Sequence, residues 1–313
     1  MKRAFSALVL ALCVVVPAFG IPKVGVLLKA KSGYSGYWSA VEAGAIEAGK
    51  QAGVDVVVKA PPTESDIGIQ IQLLNALAGQ GVDAIVIAPI NKEALAVPIT
   101  SAAVKGIKIV VIDTPITGNA AAAFVGTDHA AAGRAAGELI AKLVSDTDEV
   151  AILRHSQASG ATADREAAAI SAIKAVHPNG SIHADIYASA QPGTEAEKAQ
   201  LLLTKYPNVK AVLASGTAGT LGMMKVIEEG KLVGKFKLVG FGYNLTPEVA
   251  QAIQAGELTA WIAQLPKEIG AKGVSAAASL LKGESVPAVI HTNVVTVTAE
   301  NLKDPAVQAL LSL

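Results

Sequence analysis

Apolar runs suited to strands alternate with amphipathic stretches suited to helices along almost the whole chain, in two successive rounds. A strand followed by a covering helix returns to a parallel neighbour, so this alternation confines the chain to α/β architecture with sheets covered on both faces. In the first round, residues 23–29, 54–59, 83–88 and 109–113 read as strands. Between them, 37–52 places Val41, Ala45, Ala48 and Ala52 on one helical face. Residues 66–78 carry the stripe Ile67, Ile71, Leu74 and Leu77 behind Asp66 as a cap, and 92–105 reads as a third helix. The pattern restarts near Asp128. Helices 129–144, 161–176, 195–205, 218–229, 247–255 and 267–282 then alternate with strands 149–155, 182–188, 209–215, 237–241 and 258–263, and one strand, 289–297, closes the chain. The expectation is two similar doubly wound parallel-sheet lobes, duplicated in pattern and not in sequence.

The first residues have a different character. Lys2 and Arg3 precede an apolar run over 5–16, followed by Pro17 and by the small residues Ala18 and Gly20 before Ile21. This is the layout of a cleavable signal peptide over 1–20, and the run is too short to span a bilayer comfortably. Cys13 lies inside it, so the mature chain has no cysteine, which suits an oxidising periplasm. With 26 basic and 26 acidic side chains there is no excess charge for nucleic acid or an anionic membrane.

Open parallel sheets bind ligands beyond the carboxyl ends of their strands. After the first strand comes Ala30-Lys31-Ser32-Gly33-Tyr34-Ser35-Gly36-Tyr37-Trp38, rich in rings for a chain that is only 4% aromatic. Tyr37 and Trp38 could offer apolar faces to the C–H faces of a sugar, or simply pack at a helix start. Asp113, ending the fourth strand, could accept two hydroxyls or stabilise a turn. Arg165, near the start of a helix after a Gly-containing loop, could hold several oxygens or pair with a surface Glu. Further strand-end candidates are Phe241 and Asn244, with Tyr243 between them, and Gln264.

Enzymatic signatures are missing. Gly44–Lys50 resembles a phosphate loop, but Gln51 follows the Lys and the stretch lies within a helix. There is no G-x-G-x-x-G after the first strand, no G-x-S-x-G and no H-E-x-x-H. The five His show no ligand-pair spacing and read as surface or loop residues rather than metal ligands. Neither a metal nor a cofactor is expected, and no catalytic residue.

Several of these strand ends together resemble the periplasmic substrate-binding proteins of the ribose-binding type, which serve ABC importers. The stretch Ile262-Ala263-Gln264-Leu265-Pro266-Lys267-Glu268-Ile269-Gly270-Ala271-Lys272-Gly273 is the most specific part; Val239-Gly240-Phe241 and Val125-Gly126-Thr127-Asp128 add to it. The resemblance covers the whole mature chain. It implies ligand roles for Lys29, Tyr37, Trp38, Asp113, Arg165, Phe241, Asn244 and Gln264. It also implies three crossings between lobes, with 21–127 plus 265–291 forming one lobe and 128–264 plus 292–313 the other, closing on a ligand by hinge motion. The implied function is delivery of a sugar or polyol to an ABC permease by a periplasmic monomer, or presentation of the closed form to a chemoreceptor or sensor kinase. A DNA-binding regulator of the same fold would need a helix-turn-helix where the signal peptide stands.

The departures bear on the ligand. Thr114 stands where the family has an Arg, Gly216-Thr217 where it has Asn-Asp, and Gly242 where it has the Asp of V-G-F-D, while Tyr34, Tyr243 and Asn244 could refill the space. Lys29 adds a cation that needs a partner, either Asp113 or an anionic group on the ligand. A sugar other than ribose, a polyol or a sugar acid is therefore expected. Trp38→Ala or Asp113→Ala is expected to weaken ligand binding and leave folding nearly intact.

Overall fold

The computed structural model describes residues 20–32, 36–157, 159–188 and 193–309; the expected signal peptide up to residue 19, and Tyr34, lie outside them. The elements in chain order are β1 (Lys23–Leu27), α1 (Gly36–Ala52), β2 (Asp55–Lys59), α2 (Ile67–Gly79), β3 (Ala84–Ile87), α3 (Ala96–Val104), β4 (Lys108–Ile112), β5 (Ala123–Thr127), α4 (His129–Leu143), β6 (Glu149–Arg154) and α5 (Gly160–Val176). They continue with β7 (Ile182–Tyr187), α6 (Glu195–Lys205), β8 (Val209–Ala214), α7 (Thr217–Gly230), β9 (Lys237–Tyr243), α8 (Pro247–Ala255), β10 (Ala260–Gln264), α9 (Pro266–Leu281), β11 (Val289–Thr292), β12 (Val294–Val297) and α10 (Pro305–Gln308).

The strands form two sheets of the same winding, β11-β5-β4-β3-β1-β2 and β12-β10-β9-β8-β6-β7. Apolar clusters lie on both faces of each sheet, which is why strands such as β3 (AIVI) are apolar at every position and buried throughout. The fold is thus α/β with two lobes, as the alternation predicts. The chain passes from one sheet to the other after β5, after β10 and between β11 and β12. The Thr127 and Thr292 hydroxyls lie 3.4 Å apart where the first and third of these passages meet.

Four details differ from the sequence expectation. The segment 289–297 is two strands: β11 pairs parallel with β5, and β12 pairs antiparallel with β10. Strand β5, unforeseen, is short and carries Gly126 in a weak apolar pattern. Asp66 does not cap α2 with its side chain; the carboxylate accepts from the Thr63 amide and hydroxyl instead. Helix α3 begins at Ala96, because Asn91 takes the Glu93 and Ala94 amides into a separate turn.

The helix pairs that carry the rim of the site are built alike. Gly270, one turn into α9, lies where a Cβ would be 2.0 Å from the Val41 carbonyl oxygen of α1. Gly133, one turn into α4, lies where a Cβ would be 2.0 Å from the Arg165 carbonyl oxygen of α5. Only glycine lets these backbones touch, so α1 packs directly on α9 within the first lobe and α5 on α4 within the second.

Candidate functional site

The carboxyl ends of the two sheets face one another across a cavity of about 360 Å³. Of the expected residues, Lys29, Tyr37, Trp38, Asp113, Arg165 and Gln264 line it. Phe241 does not; it is fully buried beneath Arg165, whose guanidinium carbon lies 4.2 Å from the ring centre. Asn244 does not line it either. Its backbone turns to a left-handed φ of 35°, and its carbonyl accepts the Trp261 indole N–H at 3.1 Å. The neighbouring Tyr243 reaches the cavity instead.

Asp113 organises one wall. It follows β4 with a left-handed φ of 64°, a conformation that Asp tolerates better than most residues. One carboxylate oxygen accepts from Lys29 Nζ at 2.5 Å and from the Thr114 hydroxyl at 3.0 Å; the other accepts from the Tyr37 hydroxyl at 2.6 Å. Lys29 Nζ also donates to Thr114 Oγ1 at 2.6 Å. Lys29 and Asp113 are both buried, so each satisfies the other's charge. Thr114 stands beside Asp113, and Lys29, just beyond the end of β1 and two strands away from β4, brings the cation to Asp113. Burial opposes ionisation of Asp113, but the Lys29 charge, with His129 and the hydrogen bonds of Lys29 and Tyr37, holds its pKa well below the usual carboxylate range. Burial and the Asp113 charge push the Tyr37 hydroxyl well above its ordinary value, so it remains a donor.

Trp38 stands edge-on to Tyr37, with ring centres 4.9 Å apart. It is 2% exposed and belongs to the core between β1, α1 and α9. Its indole N–H donates to Glu64 at 2.6 Å. Trp38 and Asp113 therefore support the fold as well as the cavity, and the expectation that truncating either would spare folding is corrected.

The facing wall comes from the second lobe. Arg165 donates to the Ser215 carbonyl and, at 3.1 Å, to His129 Nδ1. His129 Nε2 lies 3.1 Å from the Asp113 carbonyl oxygen. Arginine can only donate and a carbonyl can only accept, so the ring is the neutral tautomer protonated on Nε2. Burial, reinforced by the Arg165 charge, pulls the His129 pKa down to about 4. Burial also lowers Arg165 to about 10, which leaves it cationic at neutral pH. Among the described residues, two buried polar atoms here have no hydrogen-bond partner, Arg165 Nε and Gln264 Oε1. Gln264, ending β10, is oriented by a 3.5 Å hydrogen bond to the Gly242 carbonyl.

The residue missing from V-G-F-D has a steric cause. A Cβ at Gly242 would lie 2.2 Å from two Trp261 ring carbons and 2.8 Å from the Thr217 hydroxyl. Trp261 fills the space that a longer residue at 242 would need.

The unanticipated lining residues include His129, His155, Glu64 and Glu195, the last at the start of α6. His129 and His155, read as surface or loop residues, face the cavity, and His129 is buried. Glu64, from the loop after β2, lies 3.9 Å across the cleft from His155. Burial opposes the ionisation of Glu64; the hydrogen bond and charge of His155, then Lys29 and the Trp38 N–H, outweigh it and lower its pKa. The signal for His129 was its place directly after the Thr127–Asp128 crossing. Nothing in the sequence marks Glu64. No group of three or more potential metal ligands clusters among the described residues, and no helix among them is long and apolar enough to cross a membrane.

Comparison with known proteins gives a consistent result. The family described as "Periplasmic binding protein domain" matches residues 24–285. The D-allose-binding periplasmic protein of Escherichia coli K12 is 29% identical over 284 residues, covering 87% of this chain and 88% of that protein. The ribose import binding protein RbsB of the same organism is 26% identical over 291 residues, covering 92% and 95%. A carbohydrate transporter solute binding protein from Agrobacterium radiobacter, solved in complex with D-arabinose, superposes with a TM-score of 0.86 at 29% identity, covering 94% of this chain and 100% of that one.

Proposed function

Because the chain belongs to the periplasmic binding protein family, in its ribose-binding type, we propose that it binds a neutral sugar or polyol in the interlobe cavity and delivers it to an ABC permease. The observation that carries the reading is the charge balance of the lining. Lys29 is matched by Asp113 within the wall, and Arg165 stands against the carboxylates of Glu64 and Glu195, so among the described residues no cation is left over for an anionic ligand. A ligand entering such a cavity needs hydroxyls rather than a net charge, which favours a neutral sugar over a sugar acid. Tyr37 and Trp38 supply ring surface, while Gln264 Oε1 is an acceptor awaiting a hydroxyl. Sheet membership supports lobes of 21–127 plus 265–291 and 128–264 plus 292–313. The family is one of transport-binding proteins, and no turnover of the ligand is expected. Export to the periplasm behind residues 1–20 and action as a monomer complete the reading.

The test is a thermal-shift panel of pentoses, hexoses, polyols, sugar acids and amino acids on protein refolded to remove carried ligand, with D-allose, D-ribose and D-arabinose included. A ligand at about 100 times its Kd adds roughly 2.7 kcal/mol. A shift with neutral sugars or polyols supports the proposal; a response confined to sugar acids or amino acids refutes it. Loss of uptake of the same sugar on deletion tests delivery.

A further inference from the structure

The first residue of α1, Gly36, belongs to one lobe, and the residue it meets belongs to the other. A Cβ at Gly36 would lie 2.8 Å from the Tyr243 hydroxyl oxygen, 3.3 Å from Cε2 and 3.4 Å from Cζ, and these are its three nearest atoms. Tyr243 ends β9 in the second sheet. Its ring stands edge-on to Tyr37, with centres 5.5 Å apart. Its hydroxyl faces the backbone N–H groups of Gly36 and Tyr37, two donors that a helix start leaves without intrahelical partners. Gly36 shows no left-handed φ, so glycine is not required there by backbone conformation. What excludes a side chain is the approach of the opposite lobe.

The second lobe has a looser counterpart. Gly160 begins α5 as Gly36 begins α1, and a Cβ there would meet Lys92 Cδ at 3.3 Å and the Thr114 methyl at 3.7 Å, both from the first lobe. The starts of α1 and α5 are therefore both glycines facing across the cleft. Of these two approaches, the one at Gly36 is the tighter and is made by a tyrosine hydroxyl.

We propose that Tyr243 and Gly36 form a latch for the closed form: the Tyr243 hydroxyl accepts from the start of α1 across the cleft, a contact made only when the lobes are together. It holds the cavity shut on its ligand, in addition to the ring surface that Tyr243 lends to the lining, and the measurement without sugar isolates the latch. The inference rests on the cavity being an interlobe ligand site. Tyr243→Phe removes the acceptor and keeps the ring. Gly36→Ala introduces a methyl 2.8 Å from the Tyr243 hydroxyl oxygen, so the tyrosine must shift off the start of α1 for the lobes to close, and alanine is compatible with a helix start, so α1 itself is spared.

The experiment attaches spin labels at exposed Val97 on α3 and Val176 at the end of α5, each replaced by Cys, and records interlobe distances by pulsed dipolar spectroscopy. Wild type, Tyr243→Phe and Gly36→Ala are each measured without sugar and with D-allose, D-ribose or D-arabinose. The expected result is a closed-to-open ratio about threefold to tenfold lower in Tyr243→Phe, the factor for one net hydrogen bond, and at least as much lower in Gly36→Ala. Equal distributions in all three proteins, including three that never close, overturn the latch. Sugar binding with equal distributions keeps the ligand reading and removes the latch. A closed population that falls in both variants while no panel sugar binds keeps the latch and removes the sugar reading.

Discussion

Asp113 and Asn244 occupy equivalent places in the two lobes. Each follows the strand at the same position in its sheet, β4 and β9, and each is a non-glycine residue in the left-handed region. Asp113 became the hub of a wall in which the Lys29 ammonium, the Tyr37 hydroxyl and the Thr114 hydroxyl are already partnered. Asn244 turned its carbonyl to Trp261 and gave the cavity to Tyr243. The same asymmetry runs through both walls. The first is closed upon itself, while the second retains Arg165 Nε and Gln264 Oε1 without partners among the described residues. One wall is therefore built before a ligand arrives, and the other offers the atoms that a ligand can satisfy. Preorganising one half lowers the ordering cost of binding, and the open valences of the other half supply selectivity.

The contrast predicts different consequences for each wall. Asp113→Ala leaves Lys29 buried without its counter-charge and should destabilise the unliganded protein by about 3–5 kcal/mol, read by urea unfolding. Trp38→Ala should cost a similar amount through the cavity it leaves in the core. A change below about 1 kcal/mol for Asp113→Ala would show that the first wall is not self-supporting.

Acid should act next most strongly. The folded pKa of His129, about 4, lies below its ordinary 6.5, so the unfolded chain takes up the proton first. Its contribution is complete above pH 6.5 and is lost as the pH falls toward 4, about 3 kcal/mol in all. His129→Gln should flatten the stability profile over that interval. The acid arm below it should remain, because Asp113 and Glu64 also have lowered values and lose their contributions as the pH falls through them. An unchanged slope between pH 6.5 and 4 would place the proton elsewhere.

Gln264→Leu removes an open acceptor and should weaken binding of the panel sugar about tenfold by calorimetry, with unliganded stability nearly unchanged. If its unfolding midpoint dropped as far as that of Asp113→Ala, the two walls would be alike. Smallest of all, Lys205→Ala breaks an exposed pair with Asp185 far from the cavity and should alter neither melting nor binding measurably.

Periodicity alone settled the α/β class, the two lobes and most elements, since a strand covered on both faces must be apolar throughout and a helix covering it must be apolar on one face. Strand ends and a helix start marked most of the site candidates and the family resemblance added Lys29, and six of the eight reach the cavity. Strand β5 and the split of 289–297 were not legible, because short strands at the passages between sheets take their pairing from partners distant in sequence. Only the tertiary structure decided that Lys29 would meet Asp113 rather than an anionic ligand, since that pairing joins residues 84 positions apart. It alone decided that Trp261 would occupy the space at Gly242, that Asn244 would turn away from the cavity, and that Glu64 and His155 would face each other. Local pattern reports which face of an element is buried. Which polar atoms meet across a cleft depends on the distance and angle between two sheets, which no local pattern encodes.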